Sequence, residues 1–74
     1  MTKLPSLTGD QVVKALSKAG FQVLRQRGSH IYLKHSDNRA TVVPIHKGES
    51  IGPGLLRKII RDIELSKEEF LKLF

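Results

Sequence analysis

Between Thr8 and Gly20 the apolar residues Val12, Val13, Leu16 and Ala19 recur at helical spacing while Lys14 and Lys18 point elsewhere, which predicts an amphipathic helix. Thr8 followed three residues later by Gln11 forms a capping box, and Leu7 before the cap can meet Val12 as a hydrophobic staple. Gly20 supplies the left-handed residue that ends the helix. The period then changes. Phe21 to Arg27 reads as a strand of ambiguous facing, because Phe21 and Val23 fall on one side and Leu24 on the other. Gly28-Ser29 is short enough for a two-residue hairpin turn, with Gly28 as the structural turn residue. His30 to His35 alternates cleanly, Ile31 and Leu33 facing one way and His30, Tyr32 and Lys34 the other. Ser36-Asp37-Asn38-Arg39 is a turn cluster, and a third strand runs from about Ala40 to Ile45. Pro44 lacks a backbone donor and places that strand, or its end, at a sheet edge. A polar loop, His46 to Ser50, leads to a second helix starting near Pro53, with an apolar stripe of Leu55, Leu56, Ile59, Ile60 and Ile63. Ser66 and Glu69 form another capping box, with Leu65 and Phe70 as its staple, ahead of a short terminal helix.

The order is α-β-β-β-α plus a terminal helical turn or two, in one domain spanning residues 1–74. Both helix stripes must be buried, so the predicted fold is α+β: a three-stranded antiparallel sheet with the helices on one face. The other face stays open to solvent, and alternation puts His30, Tyr32 and Lys34 there. Double-stranded RNA-binding domains share this element order and read shape and 2′-hydroxyls.

Composition narrows the function classes. A chain of 74 residues has a thin core, so a shallow surface site is expected in place of a deep pocket. The chain has no cysteine, which excludes disulfides and thiolate metal sites. Its three histidines stand at offsets of five and eleven, and no H-x-x-H or H-E-x-x-H spacing occurs; no cofactor or metal is expected. No apolar run approaches a membrane span, and Met1-Thr2-Lys3-Leu4-Pro5 has no apolar leader core, so the chain reads as cytoplasmic. Thirteen Lys and Arg against seven Asp and Glu give a net charge of +6, which attracts polyanions.

His30 is the candidate for chemistry. It is a titratable group on an exposed strand face, ringed by Arg25, Arg27 and Lys34, and the basic composition points to a phosphodiester as the anion it meets. In RNA a neutral imidazole can take the 2′-hydroxyl proton, and the resulting oxyanion attacks phosphorus; an unperturbed imidazole pKa near 6.5 suits that task. The donor that protonates the leaving 5′-oxygen stays open among water, Lys34 and Tyr32. Further candidate RNA contacts are Ser29, Tyr32 (by stacking), Lys34, Lys47, Arg57 and Lys58, with Arg25 and Arg27. Set against these, a lone tyrosine is a good strand former, Lys58 can pair locally with Asp62, His35 reads as structural or incidental, and His46, which could contact RNA, reads rather as a surface residue of the loop.

Gly28-Ser29-His30-Ile31-Tyr32, then Thr41-Val42-Val43-Pro44-Ile45-His46, a Lys-Gly pair, Gly52-Pro53-Gly54-Leu55-Leu56-Arg57-Lys58-Ile59-Ile60 and the closing Ser66-Lys67-Glu68-Glu69-Phe70 together resemble HicA toxins, the YcfA-like group, over nearly the whole chain. The resemblance implies a double-stranded-RNA-binding-like fold, messenger-RNA cleavage as the toxin of a type II toxin-antitoxin pair, and a HicB-like antitoxin partner. It also implies that the catalytic histidine is the one in Gly-Ser-His, here His30. Many relatives carry a second polar residue or histidine directly after it; this chain has Ile31. The competing class is a non-catalytic RNA-binding module using the same basic surface. Gly-Ser-His favours the enzyme, and the second helix lacks the dense lysine cluster expected near its start in double-stranded RNA binders.

Overall fold

A computed structural model describes residues 4–74; the leader reading of Met1 to Lys3 lies outside them. The order is α1 (Gly9–Lys18), β1 (Gln22–Arg27), β2 (His30–Lys34), β3 (Ala40–Pro44), α2 (Pro53–Asp62) and α3 (Lys67–Leu71). The strands form one antiparallel sheet in the order β1-β2-β3, as the alternation predicts, with β3 and its Pro44 at an edge. Both capping boxes are formed, at Thr8–Gln11 and Ser66–Glu69. α1 ends as a Schellman cap: Gly20, at φ 97°, donates to the Ser17 carbonyl, and Phe21 donates to that of Leu16 at 3.0 Å.

Ile31, Leu33, Thr41 and Val43 point inward against Val12, Leu16, Leu56, Ile59, Ile60 and Ile63, while Phe21 and Phe70 close the core from the flanks. One residue of the predicted stripe is missing from it. Leu55, in the first turn of α2, is 39% exposed, while its neighbour Leu56 is buried.

Both sheet-packing helices run in the same direction. At one end of the sheet Gly9 of α1 abuts the Pro44 carbonyl, so closely that a methyl group there would overlap it, and Gly52 and Leu55 at the start of α2 flank His30. At the other end Gly20 lies against the His35 ring, Asp62 accepts from Thr41 Oγ1 at 3.0 Å, and Arg39 donates to the Ile63 carbonyl at 2.7 Å. The helix N-termini, with their partial positive charge, therefore gather at the His30 end and the C-termini at the His35 end. Among the described residues, no helix is long and apolar enough to cross a membrane.

Candidate functional site

The ambiguous facing of β1 resolves through a bulge. Val23 pairs with Leu33, but Arg25 pairs with Tyr32, so Leu24 is an extra residue with no partner in β2. Directly paired residues share a face of the sheet. Past the bulge, Arg25 and Arg27 stand beside Tyr32 and His30 on the outer face; an unbroken alternation from Val23 would have turned both arginines toward the helices. The bulged Leu24 is left 63% exposed. The Arg25 guanidinium lies 4.8 Å from the centroid of the Tyr32 ring, a cation–π contact on the ring face that a base would need for stacking. Lys34 completes the cationic row at the far end of β2, opposite Gln22.

His30 is fixed by its backbone and free at its ring. The β1–β2 hairpin turns at Gly28, φ 58°, and Ser29 has no positive φ, which is the pattern of a type II′ turn. The Gln26 side-chain amide braces it by donating to the Gly28 carbonyl at 3.0 Å. On the other side Ile45 donates to the Ser29 carbonyl at 2.6 Å, so Ser29 and Ile45 are a hydrogen-bonded pair and His30–Pro44 the adjacent non-hydrogen-bonded pair. The missing proline donor therefore breaks no ladder bond, and the side chains of such a pair stand close. Among the described residues the His30 ring makes no hydrogen bond.

Beside His30 the surface sinks into a hollow of about 310 Å³, lined by His30, Pro44, His46, Glu49, Ser50, Ile51, Gly52 and Leu55. The loop in its wall is pinned at both ends, by Ile45 to Ser29 and by Ile51 donating to the Leu7 carbonyl at 2.7 Å, with a Thr8–Ser50 bridge alongside. Between the pins Glu49 donates to the His46 carbonyl at 2.9 Å, a turn made at Gly48 with φ 79°. That turn sets Glu49 and His46 on the same hollow. Its lining mixes the polar side chains of His30, His46, Glu49 and Ser50 with the apolar ones of Pro44, Ile51 and Leu55.

The structure brings together only part of the predicted set. Arg25, Arg27, His30, Tyr32 and Lys34 share the outer face. Ser29 is half-buried and contributes its carbonyl to the ladder, and Lys47 is exposed in the turn after His46. Arg57 lies instead on a separate groove with Leu4, Pro5 and Ser6. Lys58 is paired with Asp62 at 3.0 Å, toward the other end of α2. His35 is structural: its ring packs edge-on to Phe21 at 5.2 Å and its Nδ1 accepts the Asp37 backbone N–H at 3.2 Å. The sequence reading weighed His46 as an RNA contact and preferred a surface role, and it passed over Glu49 as a site residue. The signal was the register, since His46 lies two positions beyond Pro44 and keeps the parity that points it to the His30 side. Among the described residues, no three His, Asp or Glu side chains cluster in a way that could hold a metal ion.

No curated protein sequence matches this chain. The family model for the HicA toxin of bacterial toxin-antitoxin systems matches residues 9–65, a span that holds the whole sheet, His30, the His46 loop and α2, and the chain therefore belongs to the HicA toxin family.

Proposed function

We propose that the protein is a metal-independent endoribonuclease that cleaves messenger RNA, acting in the cytoplasm as the toxin of a type II pair, with His30 as the general base. The observation that carries this reading is the setting of His30. It has a fixed backbone and an unbonded, exposed ring, and it stands on a face bearing Arg25, Arg27 and Lys34, at the end of the sheet where both helix N-termini collect. Cations and helix N-termini attract a phosphodiester and stabilise charge building on its oxygens. His30 takes the 2′-hydroxyl proton, the 2′-oxygen attacks phosphorus, and the chain breaks to leave a 2′,3′-cyclic phosphate and a 5′-hydroxyl. The open hollow beside His30 accepts a single strand, whose linkage can rotate into line for attack as one held in a duplex cannot.

A HicB-like antitoxin has two physical tasks in this scheme. It must cover His30, and it must offer carboxylates to the cationic face. The partner is therefore an acidic protein whose binding weakens as salt rises.

The test is RNA cleavage in EDTA by wild type and by His30→Ala, with circular dichroism confirming that both are folded. Cleavage by wild type alone, falling at least 10²-fold in the variant and leaving cyclic-phosphate ends, is expected. Products with 5′-phosphate ends, or equal cleavage by the variant, would sink the reading. Binding without cleavage by either protein would favour the non-catalytic RNA-binding module.

A further inference from the structure

A 2′-oxygen attack needs a second proton transfer, because the 5′-oxygen leaves as an alkoxide unless it is protonated as its bond to phosphorus breaks. We infer that His46 is the general acid that supplies this proton; the assignment rests on the ribonuclease reading and completes it.

The argument is positional. His30 pairs with Pro44, and His46 follows two residues on with the same parity. Neighbouring strands lie about 4.8 Å apart and each residue advances about 3.3 Å, so the two histidine backbones stand roughly 8 Å apart along one wall. That backbone spacing is on the scale of one phosphodiester, and both residues line the same hollow. In-line displacement puts the attacking and leaving oxygens on opposite sides of phosphorus, which calls for base and acid on two sides of the bound phosphate. The loop carrying His46 is pinned at Ile45 and Ile51 and turned at Gly48, so the side chain is presented from a fixed backbone.

The other donors fit less well. Lys34 is four residues along β2, about 13 Å from His30. Tyr32 has the Arg25 guanidinium against its ring. Glu49 also lines the hollow, but it lies beyond the turn at Gly48 and off the line that continues β3 past Pro44.

The step balances. The 2′-hydroxyl proton passes to His30, the O2′–P bond forms and the P–O5′ bond breaks. The His46 imidazolium proton goes to O5′. His30 ends protonated and His46 neutral, and exchange with water restores both.

The test uses an oligoribonucleotide that wild type cleaves at one mapped linkage, made in two forms: with the natural 5′-oxygen, and with sulfur in its place. A thiolate leaves without protonation. His46→Ala is expected to cleave the oxygen substrate about 10²- to 10³-fold more slowly than wild type and the sulfur substrate within a few-fold of it. His46→Gln, which keeps size and polarity but has no proton to transfer, should behave the same way. His30→Ala should stay inactive on both. Undiminished cleavage of the oxygen substrate by His46→Ala would overturn the inference, as would an equal loss on both substrates, which would mean that His46 positions RNA. Either result leaves the ribonuclease reading standing. Failure of wild type to cleave any RNA from which such a linkage could be mapped would overturn that reading and the inference with it.

Discussion

At one end of the sheet stand His35, Asp37 and Arg39; at the other stand His30, Glu49 and Arg27. The groups are the same and their treatment is opposite. Arg39 chelates the Asp37 carboxylate at 2.9 and 3.0 Å, donates to the Ile63 carbonyl at 2.7 Å, and lies over the Phe21 ring at 5.2 Å. His35 packs on that same ring. Each of those three side chains has a partner within the fold, and the C-terminal end of α2 has an arginine on its carbonyl, the charge that a helix C-terminus favours. At the His30 end the first turn of α2 has no side-chain cap, and His30, His46, Glu49 and Arg27 make no side-chain hydrogen bonds among the described residues. Polar groups that satisfy one another hold a fold together; polar groups held in place and left unsatisfied are available to a ligand.

The largest expected effect separates the two ends by exchanging stability for activity. Arg39→Ala removes a partly buried, charge-assisted bond to Ile63 and leaves that carbonyl without its donor, with the Asp37 pair lost as well. It should destabilise the protein by about 2 kcal/mol, lowering the melting temperature on the order of 10 °C. His30→Ala deletes a side chain with no bonds to lose and should leave the melting temperature within about 2 °C of wild type. The comparison is measured by thermal denaturation of both variants. A large loss for His30→Ala, or none for Arg39→Ala, would erase the distinction between the ends.

How much of this could be read from the chain follows from what kind of interaction was at stake. The helices, hairpin and open sheet face were legible because caps, periodicity and turn residues are local: Thr8 with Gln11, Gly20, Gly28, and the alternation from His30 to Lys34. His30 was legible because the same alternation forces it outward. The bulge at Leu24 was not, since a bulge is defined by the partner strand and nothing in Val23-Leu24-Arg25 alone marks the extra residue. The exposure of Leu55 was hidden for a related reason: the stripe on α2 is continuous, and nothing within it marks which residue the other segments leave uncovered. His46 and Glu49 needed the closing of the Gly48 turn and the Leu7 anchor, contacts between segments far apart in sequence. Arg57 was grouped with the other cations because its groove with Leu4, Pro5 and Ser6 joins segments far apart in sequence, whereas the i, i+4 spacing of Lys58 and Asp62 announced their pairing.

A smaller effect tests whether the closed end is free of functional constraint. α2 ends in a Schellman cap like that of α1, Glu64 donating to the Arg61 carbonyl at 3.1 Å and Leu65 to that of Ile60 at 3.4 Å. The left-handed position is filled by Glu64, φ 57°, where α1 has Gly20. A side chain in that conformation costs about 1 kcal/mol relative to glycine. Glu64→Gly should therefore raise stability by about 1 kcal/mol in urea denaturation and leave RNA cleavage unchanged. A loss of stability would mean that the Glu64 side chain contributes more than its backbone strain removes.

The smallest effect is the acid dependence of the closed end. The Asp37 carboxyl is held below its ordinary value of 3.8, first by the hydrogen bond from the Arg39 side chain and then by that from the Arg39 backbone N–H. A carboxyl whose pKa is lower folded than unfolded stabilises the fold fully above the unfolded value, and that contribution is lost as pH falls through the folded one. The pair is open to water, so the contribution is screened and small. Glu69 is lowered in the same direction by the Ser66 backbone N–H and hydroxyl, so the pH profile of wild type alone mixes two carboxyls. Comparing wild type with Asp37→Asn removes the Glu69 part, which is common to both proteins. The stability difference between them should hold constant from neutral pH down to about pH 4, then shrink as Asp37 is protonated in the folded state. A difference that stayed constant to the lowest pH at which both fold would show that Asp37 acts through its shape and hydrogen bonds alone. The ion pair would then be an accident of packing, and the closure of that end would rest on Arg39, Phe21 and the Ile63 carbonyl.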